Sequence, residues 1–426
     1  MDDFNDDSFK QGMQDVDGQQ PHQPMKSAEK PTKKKWILIG IILLIAILVL
    51  GYMFFFRKDA DAPAESTQTE TSEEEKTRIR LIATGDFIPH DAINLAAEQE
   101  DGSYDYSPMY GDMKELFDES DINFCNQAVL GGGTEFEITG YPKFNSPTEF
   151  ADDMAGLGCN VINTGTNHTN DFGQEVIDAS VDTWQGQPGV KAVAGANKSE
   201  QARDEVKYFE VKGVKFAFVS YTTYTNEPSP NSYSVTMYDA NLAKTQLTEA
   251  RDKADIVIAS MRWGTEYSSE INELQKSTAQ EVANFGADII LGHGPHVLQP
   301  VEQITLDDGR VATVWYSLGN FINSQLEPET LFNVIGVMDI NPDTKKVDTI
   351  GYMPIYMHYE WTAEEKAADD LLARKNFELV LVDDANELFE RSQSETTLAN
   401  QESRIQETVT KLLEVKRLSK DEYLQS

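Results

Sequence analysis

Asn163-Thr164-Gly165-Thr166-Asn167-His168-Thr169-Asn170-Asp171-Phe172-Gly173 is the stretch on which the reading of this sequence turns. Ahead of it, the short run Cys159-Asn160-Val161-Ile162 reads as a buried strand, and behind it Gln174 to Trp184 reads as a helix. Its polar side chains therefore fall on a strand-to-helix loop, and in an open α/β sheet such loops are where ligands bind. Asn167 and His168 set an amide oxygen beside an imidazole, with Asp171 near enough to orient the ring or add charge. The competing reading is a plain polar turn whose Asn and Asp cap the following helix. Other loops decide between the two.

Upstream, Arg78 to Ala83 is a strand that runs into Thr84-Gly85-Asp86, with His90 and Asp91 close behind. Asp121 to Cys125 is a second strand, ending in Asn126-Gln127 and a glycine loop at 131–133. A helix over 147–157 precedes the central loop. Downstream, Val206–Val211 and Val214–Ser220 form a hairpin, and Asn241–Lys253 is a helix. The strand over 255–260 delivers Arg262 and Glu266, a helix spans 270–285, and the strand over 287–291 delivers His293 and His296. Thr313–Tyr316 leads to Asn320, and a last hairpin, Asn333–Ile340 with Val347–Met357, closes the domain. Strands alternating with helices and mixed with hairpins imply a layered α/β domain. Five strand ends carry polar or ionisable groups, and four of the six histidines (His90, His168, His293, His296) fall there. Convergence of this kind points to a functional site rather than to five unrelated turns.

The chain has 426 residues, with 36 Lys plus Arg against 72 Asp plus Glu, a formal net charge of −36. So acidic a surface excludes nucleic acid as a partner, and an anionic ligand would need a local cation. Hydrophobic residues make up 40% of the chain, enough for a large core. The two cysteines, Cys125 and Cys159, lie in apolar runs and are expected to be small buried residues rather than a disulfide or a ligand pair.

Residues 1–35 are polar, lack apolar periodicity, and are expected to be disordered, with a basic end at Lys26, Lys30 and Lys33 to Lys35. Residues 36–56 are uncharged and apolar with aromatics at both ends. As a helix that run is about 32 Å long, enough to span a bilayer. The lysines before the run outnumber Arg57 and Lys58 after it, which predicts a cytoplasmic amino terminus and an extracellular main domain. Residues 57–77 read as a flexible acidic stalk, 78–360 as the folded domain, and 361–426 as a charged helical extension. In that extension Glu364–Arg374 and Thr397–Lys416 are expected to be helices, the second with Ile405, Val409, Leu412 and Leu413 on one face.

The strand-end blocks resemble those of the CapA family of capsule (poly-γ-glutamate) synthesis proteins, whose fold is similar to that of calcineurin-type metallophosphatases. The resemblance runs from Arg78 to about Tyr359. It is carried by Thr84-Gly85-Asp86, Asn126-Gln127, Asn167-His168 with Asp171 and Gly173, Trp263-Gly264-Thr265-Glu266-Tyr267, Pro295-His296-Val297 with Gln299-Pro300, and Tyr316 to Phe321. It implies a layered metallophosphatase-like α/β sandwich behind one transmembrane helix. It also implies a partnership with an anionic cell-envelope polymer such as poly-γ-glutamate and with other capsule-synthesis membrane proteins.

By that resemblance, a divalent ion (Mn, Zn or Mg) would be held by Asp86, Asn167 and His296, with His293 and His90 in reach. His168 would act as general acid, oriented by Asp171, and Glu266 as a base or as the partner of Arg262. Arg262, Asn126 and Asn320 would contact substrate. Three positions depart from the family: Ala128 stands in place of a glutamate, and Arg262 and Gly294 stand in place of histidines. Alanine and glycine cannot ligate, and an arginine competes with a metal for carboxylates. The expectation is a capsule-synthesis protein with a degenerate site. The alternatives are an active metal-dependent phosphoesterase and a catalytically dead polyanion-binding or scaffold module.

Overall fold

The computed structural model describes residues 78–425. The predicted amino-terminal region, membrane span and stalk lie outside those residues. Among the described residues, no helix is long and apolar enough to cross a membrane.

In chain order the strands are β1 (Ile79–Phe87), β2 (Ile122–Gln127), β3 (Val161–Asn163), β4 (Ala192–Ala194), β5 (Lys207–Val211), β6 (Val214–Thr222), β7 (Ile256–Arg262) and β8 (Ile289–His293). They continue with β9 (Val301–Thr305), β10 (Val311–Trp315), β11 (Asn320–Ile322), β12 (Phe332–Asn341), β13 (Lys346–Glu360), β14 (Lys375–Leu381) and β15 (Lys416–Arg417). The described residues form two sheets. One runs β14-β13-β12-β1-β2-β3-β4, with β11 beside β1 and β15 beside β13, and the other runs β5-β6-β7-β8-β10-β9. Each has a parallel centre, β1 to β4 in the first and β6-β7-β8-β10 in the second; outside it β12, β13 and β14 pair antiparallel in the first sheet and β5 and β9 in the second, while β11 and β15 pair parallel with β1 and β13.

Every residue of β1, β2 and β7 is buried, as parallel strands covered on both faces require. The second sheet divides its side chains with a period of two. Phe216, Phe218, Ile256, Ile258, Ile289 and Leu291 join the core that holds Leu81, Phe124 and Ile162 of the first sheet. Ala217, Val219, Val257, Ala259 and Ile290 face the other way, toward Leu247 of the helix Ala240–Lys253 and Val282 of the helix Glu273–Phe285. The rings of Phe124 on β2 and Phe218 on β6 meet edge to face at 6.1 Å across the sandwich. The α/β expectation therefore holds, with two sheets stacked on each other and helices outside.

Two expectations need correction here. Cys125 and Cys159 form a disulfide rather than two separate thiols. Cys125 lies on β2 and Cys159 just ahead of β3, and the parallel pairing of those strands brings their Cα atoms to 5.7 Å, within the reach of a disulfide. Nothing in a spacing of 34 residues announces that contact.

The second correction concerns the carboxyl-terminal extension, which is not simply helical. The helix expected over Glu364–Arg374 is short, Ala363–Ala367, and the chain turns at Asp369, whose φ is +54°. β14 follows and pairs antiparallel with β13, its Phe377, Leu379 and Leu381 buried at every second position. The last hairpin therefore does not close the domain. The later helix spans Leu398–Val409, shorter than expected; it buries Ile405 and Val409 but leaves Leu412 half exposed beyond its end.

Candidate functional site

The carboxyl ends of the parallel strands of both sheets come together. β1 ends at Asp86-Phe87, β2 at Asn126-Gln127, β3 at Asn163, β7 at Arg262 and β8 at His293. Asn163 ties the two sheets: its Nδ2 donates to Asn126 Oδ1 at 2.6 Å and lies 3.1 Å from His293 Nε2, and its Oδ1 accepts from the Ser220 hydroxyl. Asn126 Nδ2 in turn donates to Asp86 Oδ1 at 2.5 Å. The other Asp86 oxygen pairs with His296 Nδ1 at 2.8 Å. Burial works to raise the Asp86 carboxyl, but the hydrogen bond and charge of His296, with His293 and Arg262 nearby, outweigh it and hold the group below its ordinary value. Burial pushes His293 down to about 3, with Asp86 opposing and Arg262 assisting, so it is neutral at physiological pH.

The loop 163–173 is knitted to itself and to its neighbours. Thr169 Oγ1 donates to Thr164 O at 2.8 Å and accepts from Thr166 N at 2.8 Å, while Thr166 Oγ1 donates to Ala128 O at 2.6 Å. His168 Nδ1 meets Asp171 Oδ2 at 2.7 Å, and the same oxygen accepts from Phe144 N at 2.9 Å. The helix that follows starts from Gly173 with no side-chain cap, so the loop's Asn and Asp are not spent on capping. His168 is held edge-on to Phe144, with ring centroids 4.7 Å apart.

Arg262 is the largest charged group in the site and is 1% exposed. Its Nε donates to Asn167 Oδ1 at 2.9 Å, its Nη2 to Glu266 Oε1 at 3.0 Å, and its guanidinium lies 4.3 Å above the Tyr224 ring. Tyr224 Oη donates to the same Glu266 oxygen at 3.1 Å. A Cβ added to Gly294 would lie 2.8 Å from Cζ and Nη1 of Arg262, so the guanidinium occupies the space that a side chain at 294 would need.

These groups surround a cavity of about 380 Å³. Asp86, His90, Asn126, Asn167, His168, Arg262, Glu266, His293 and His296 all line it. Asp171 and Asn320 stand behind it, Asp171 on His168, and Asn320 accepting from His296 Nδ1 at 3.1 Å. Asn320 is 1% exposed, and its Nδ2 is engaged by Gln325 and Thr330.

The expected metal ligands do not form a coordination shell. The Asn167 oxygen is taken by Arg262, His293 Nε2 by Asn163 and Ser260, and His90 Nδ1 by the Ser324 backbone N–H. Both Asp86 oxygens are engaged, and Ala128 adds an apolar wall with Ile88, Val129 and Phe144. Among the described residues, no three His, Cys, Asp or Glu side chains are grouped to hold a metal ion. The donor set expected from the sequence does not fit a divalent metal, because a fixed guanidinium sits among the oxygens a cation would need.

Sequence reasoning missed the part played by β6. Tyr224, Asn226 and Glu227, on the loop after β6, all touch the cavity or its arginine, and Glu227 pairs with Lys143 at 2.9 Å. A signal was present: Thr222-Thr223-Tyr224-Thr225-Asn226 is another polar run at the end of an apolar strand. Asn163 opens the polar stretch in the sequence, but nothing along the chain marks it as the tie between the sheets.

The profile of a family described as bacterial capsule synthesis protein PGA_cap matches residues 80–325, more than half of the chain. The chain is 30% identical over 175 residues to the PGA biosynthesis protein CapA of Bacillus subtilis (strain 168), covering 40% of this chain and 44% of that protein. It is 28% identical over 178 residues to the capsule biosynthesis protein CapA of Bacillus anthracis, covering 39% and 41%. The match thus spans less than half the length of either relative. A solved structure described as a novel phosphatase from Mycoplasma pneumoniae aligns over 66% of this chain and 94% of its own, with 14% identity and a TM-score of 0.41. A likeness at that level carries no weight for the site.

Proposed function

We propose a function from one premise: the chain belongs to the bacterial capsule synthesis protein PGA_cap family. In this reading it takes part in the synthesis or export of an anionic envelope polymer of the poly-γ-glutamate kind, in line with its two Bacillus relatives, one described as a PGA and the other as a capsule biosynthesis protein. The observation that carries the reading is the family match over residues 80–325, the segment that builds the cavity.

The site is degenerate in this reading: a metallophosphatase-type scaffold that keeps Asp86, Asn167, His168 and His296 but has Arg262 and Gly294 where a metal-binding pair would stand. The engagement of both Asp86 oxygens and of the Asn167 oxygen by protein partners supports this. A metal-dependent phosphoesterase finds no support in the donor set. The domain lies outside the cell, anchored through residues 36–56, in contact with the other membrane proteins of polymer synthesis. Lysine asymmetry about that run supports the orientation, and the Cys125–Cys159 disulfide suits an oxidising compartment.

The test is deletion of the gene in its own bacterium, with cell-surface polyanion measured before and after the full chain is restored. Loss on deletion and recovery on restoration are expected. Unchanged polymer in the deletion strain overturns the reading.

A further inference from the structure

Arg262 has more bonding capacity than the protein uses. Its Nε and Nη2 are engaged and its plane is stacked on Tyr224, yet Nη1 is buried without a hydrogen-bond partner. A cationic donor left in that condition is costly unless something else accepts from it. Its register partner on the next strand is in a similar position. His293 pairs with Arg262 across β7 and β8, and His293 Nδ1 is likewise buried and unpartnered. Asn163 Nδ2 and the Ser260 hydroxyl both approach His293 Nε2, at 3.1 and 2.8 Å. The tautomer that accepts from them carries its proton on Nδ1 and has an N–H to give. Both side chains line the one cavity.

We propose that Arg262 Nη1, together with the Nδ1 of its register partner His293, forms a binding subsite for one carboxylate of a polycarboxylate chain. The proposal rests on the polymer reading above and names the group that makes the contact. A fixed guanidinium edge suits a planar oxyanion. The charge around it selects among oxyanions. Arg262 already shares its charge with Glu266, and Asp86 and Glu227 line the same cavity. Lys143 also lines the cavity but is paired with Glu227, so a phosphate, close to a dianion at neutral pH, would meet three carboxylates and two cations that are already paired, and is repelled more strongly than a singly charged carboxylate. A net charge of −36 repels a polyanion over the rest of the surface, so a local cation decides where the polymer can touch. The cavity mouth is open: Tyr141 and Tyr267 line it at 78% and 58% exposed. A side carboxylate can enter while the chain that bears it continues outside. In a γ-linked glutamate polymer each residue offers such a group, its α-carboxylate.

The experiment is calorimetric titration of the purified full chain with a short γ-linked glutamate oligomer and, in parallel, with inorganic phosphate, for wild type, Arg262→Ala and Arg262→Lys. Arg262→Lys keeps a cation and most of the volume, and thermal unfolding of each variant accompanies the titration. Wild type is expected to bind the oligomer more tightly than phosphate. Roughly tenfold or greater weakening is expected in Arg262→Ala and a smaller loss in Arg262→Lys. Equal affinity in wild type and the folded variants overturns the subsite, as does tighter binding of phosphate or no binding by wild type. The capsule reading is judged separately, by polymer on cells. If deletion abolishes polymer while Arg262→Ala cells make it normally and their folded protein binds the oligomer as wild type does, the role stands and the subsite falls. If deletion leaves polymer intact while binding depends on Arg262, the subsite stands and the role falls.

Discussion

A Cβ placed on Gly294 would lie 2.8 Å from the guanidinium carbon of Arg262, although the two residues are on different strand ends and 32 positions apart. The arginine is buried where it is because residue 294 has no side chain. The two positions therefore act as a pair, and the site's chemistry follows from it.

The first prediction concerns that pair. Gly294 has a φ of +108°, a backbone region that side chains other than glycine's rarely adopt. Gly294→Ala should cost about 1–3 kcal/mol from backbone strain and overpacking together. With Arg262→Ala already present, the overpacking part is relieved and only the backbone cost remains. A double-mutant cycle by urea denaturation measures the coupling, and additive costs would mean that the two side chains do not compete for space.

Metal content gives the second. The full chain, loaded with manganese, zinc or magnesium and desalted, is expected to retain no stoichiometric ion, and a chelator should leave its unfolding temperature unchanged. Elemental analysis checks this. Two ions per chain would mean that the expected ligands rearrange around a metal and that Arg262 moves aside.

Acid stability is the third. Burial lowers both His90 and His293 from 6.5 to about 3 in the folded chain, with Arg374 assisting at His90 and Arg262 at His293. The unfolded chain takes up these protons first, so their contribution is complete above about pH 6.5 and is lost as the pH falls toward 3. The loss is about 1.4 kcal/mol per pH unit for each group in that window. Urea midpoints at pH 7.5 and pH 5 should fall accordingly, and His293→Gln should shallow the dependence. A flat profile over that range would contradict the burial of neutral imidazoles.

The fourth concerns the Cys125–Cys159 disulfide, which closes a loop of 34 residues. Reduction, or Cys125→Ala with Cys159→Ala, should destabilise the chain by roughly 2–4 kcal/mol, chiefly by freeing the unfolded state. Denaturation with and without reductant reads the difference directly. No shift in midpoint would mean that the bond is not formed.

Much of the site is legible in the sequence. Apolar runs ending in polar residues mark the carboxyl ends of parallel strands, and parallel strands bring those ends to one edge. Asp86, Asn126, Asn167, His168, Arg262 and His293 could thus be grouped from their positions alone. Tyr224 and Asn226 escaped because β6 was read as half of a hairpin, although its other neighbour, β7, is parallel and delivers Arg262. β14 escaped because the charged segment before it has strong helix formers, which masked the alternation of Phe377, Leu379 and Leu381.

What the sequence by itself determined was local and periodic: the alternation of strand and helix, the polar strand ends, the motifs that carry the family, and the presence of Ala128, Arg262 and Gly294 where the resemblance leads one to expect a glutamate and two histidines. Only the tertiary structure decided which of those groups hold one another. The sheet order sets Cys125 against Cys159 and Asn163 against His293, and the packing of strand ends places Arg262 against Gly294 and Asn167. The physical reason is that periodicity fixes which face a side chain takes within its own element, whereas a contact between elements depends on how separate strands pair and stack, and no spacing along the chain encodes that distance.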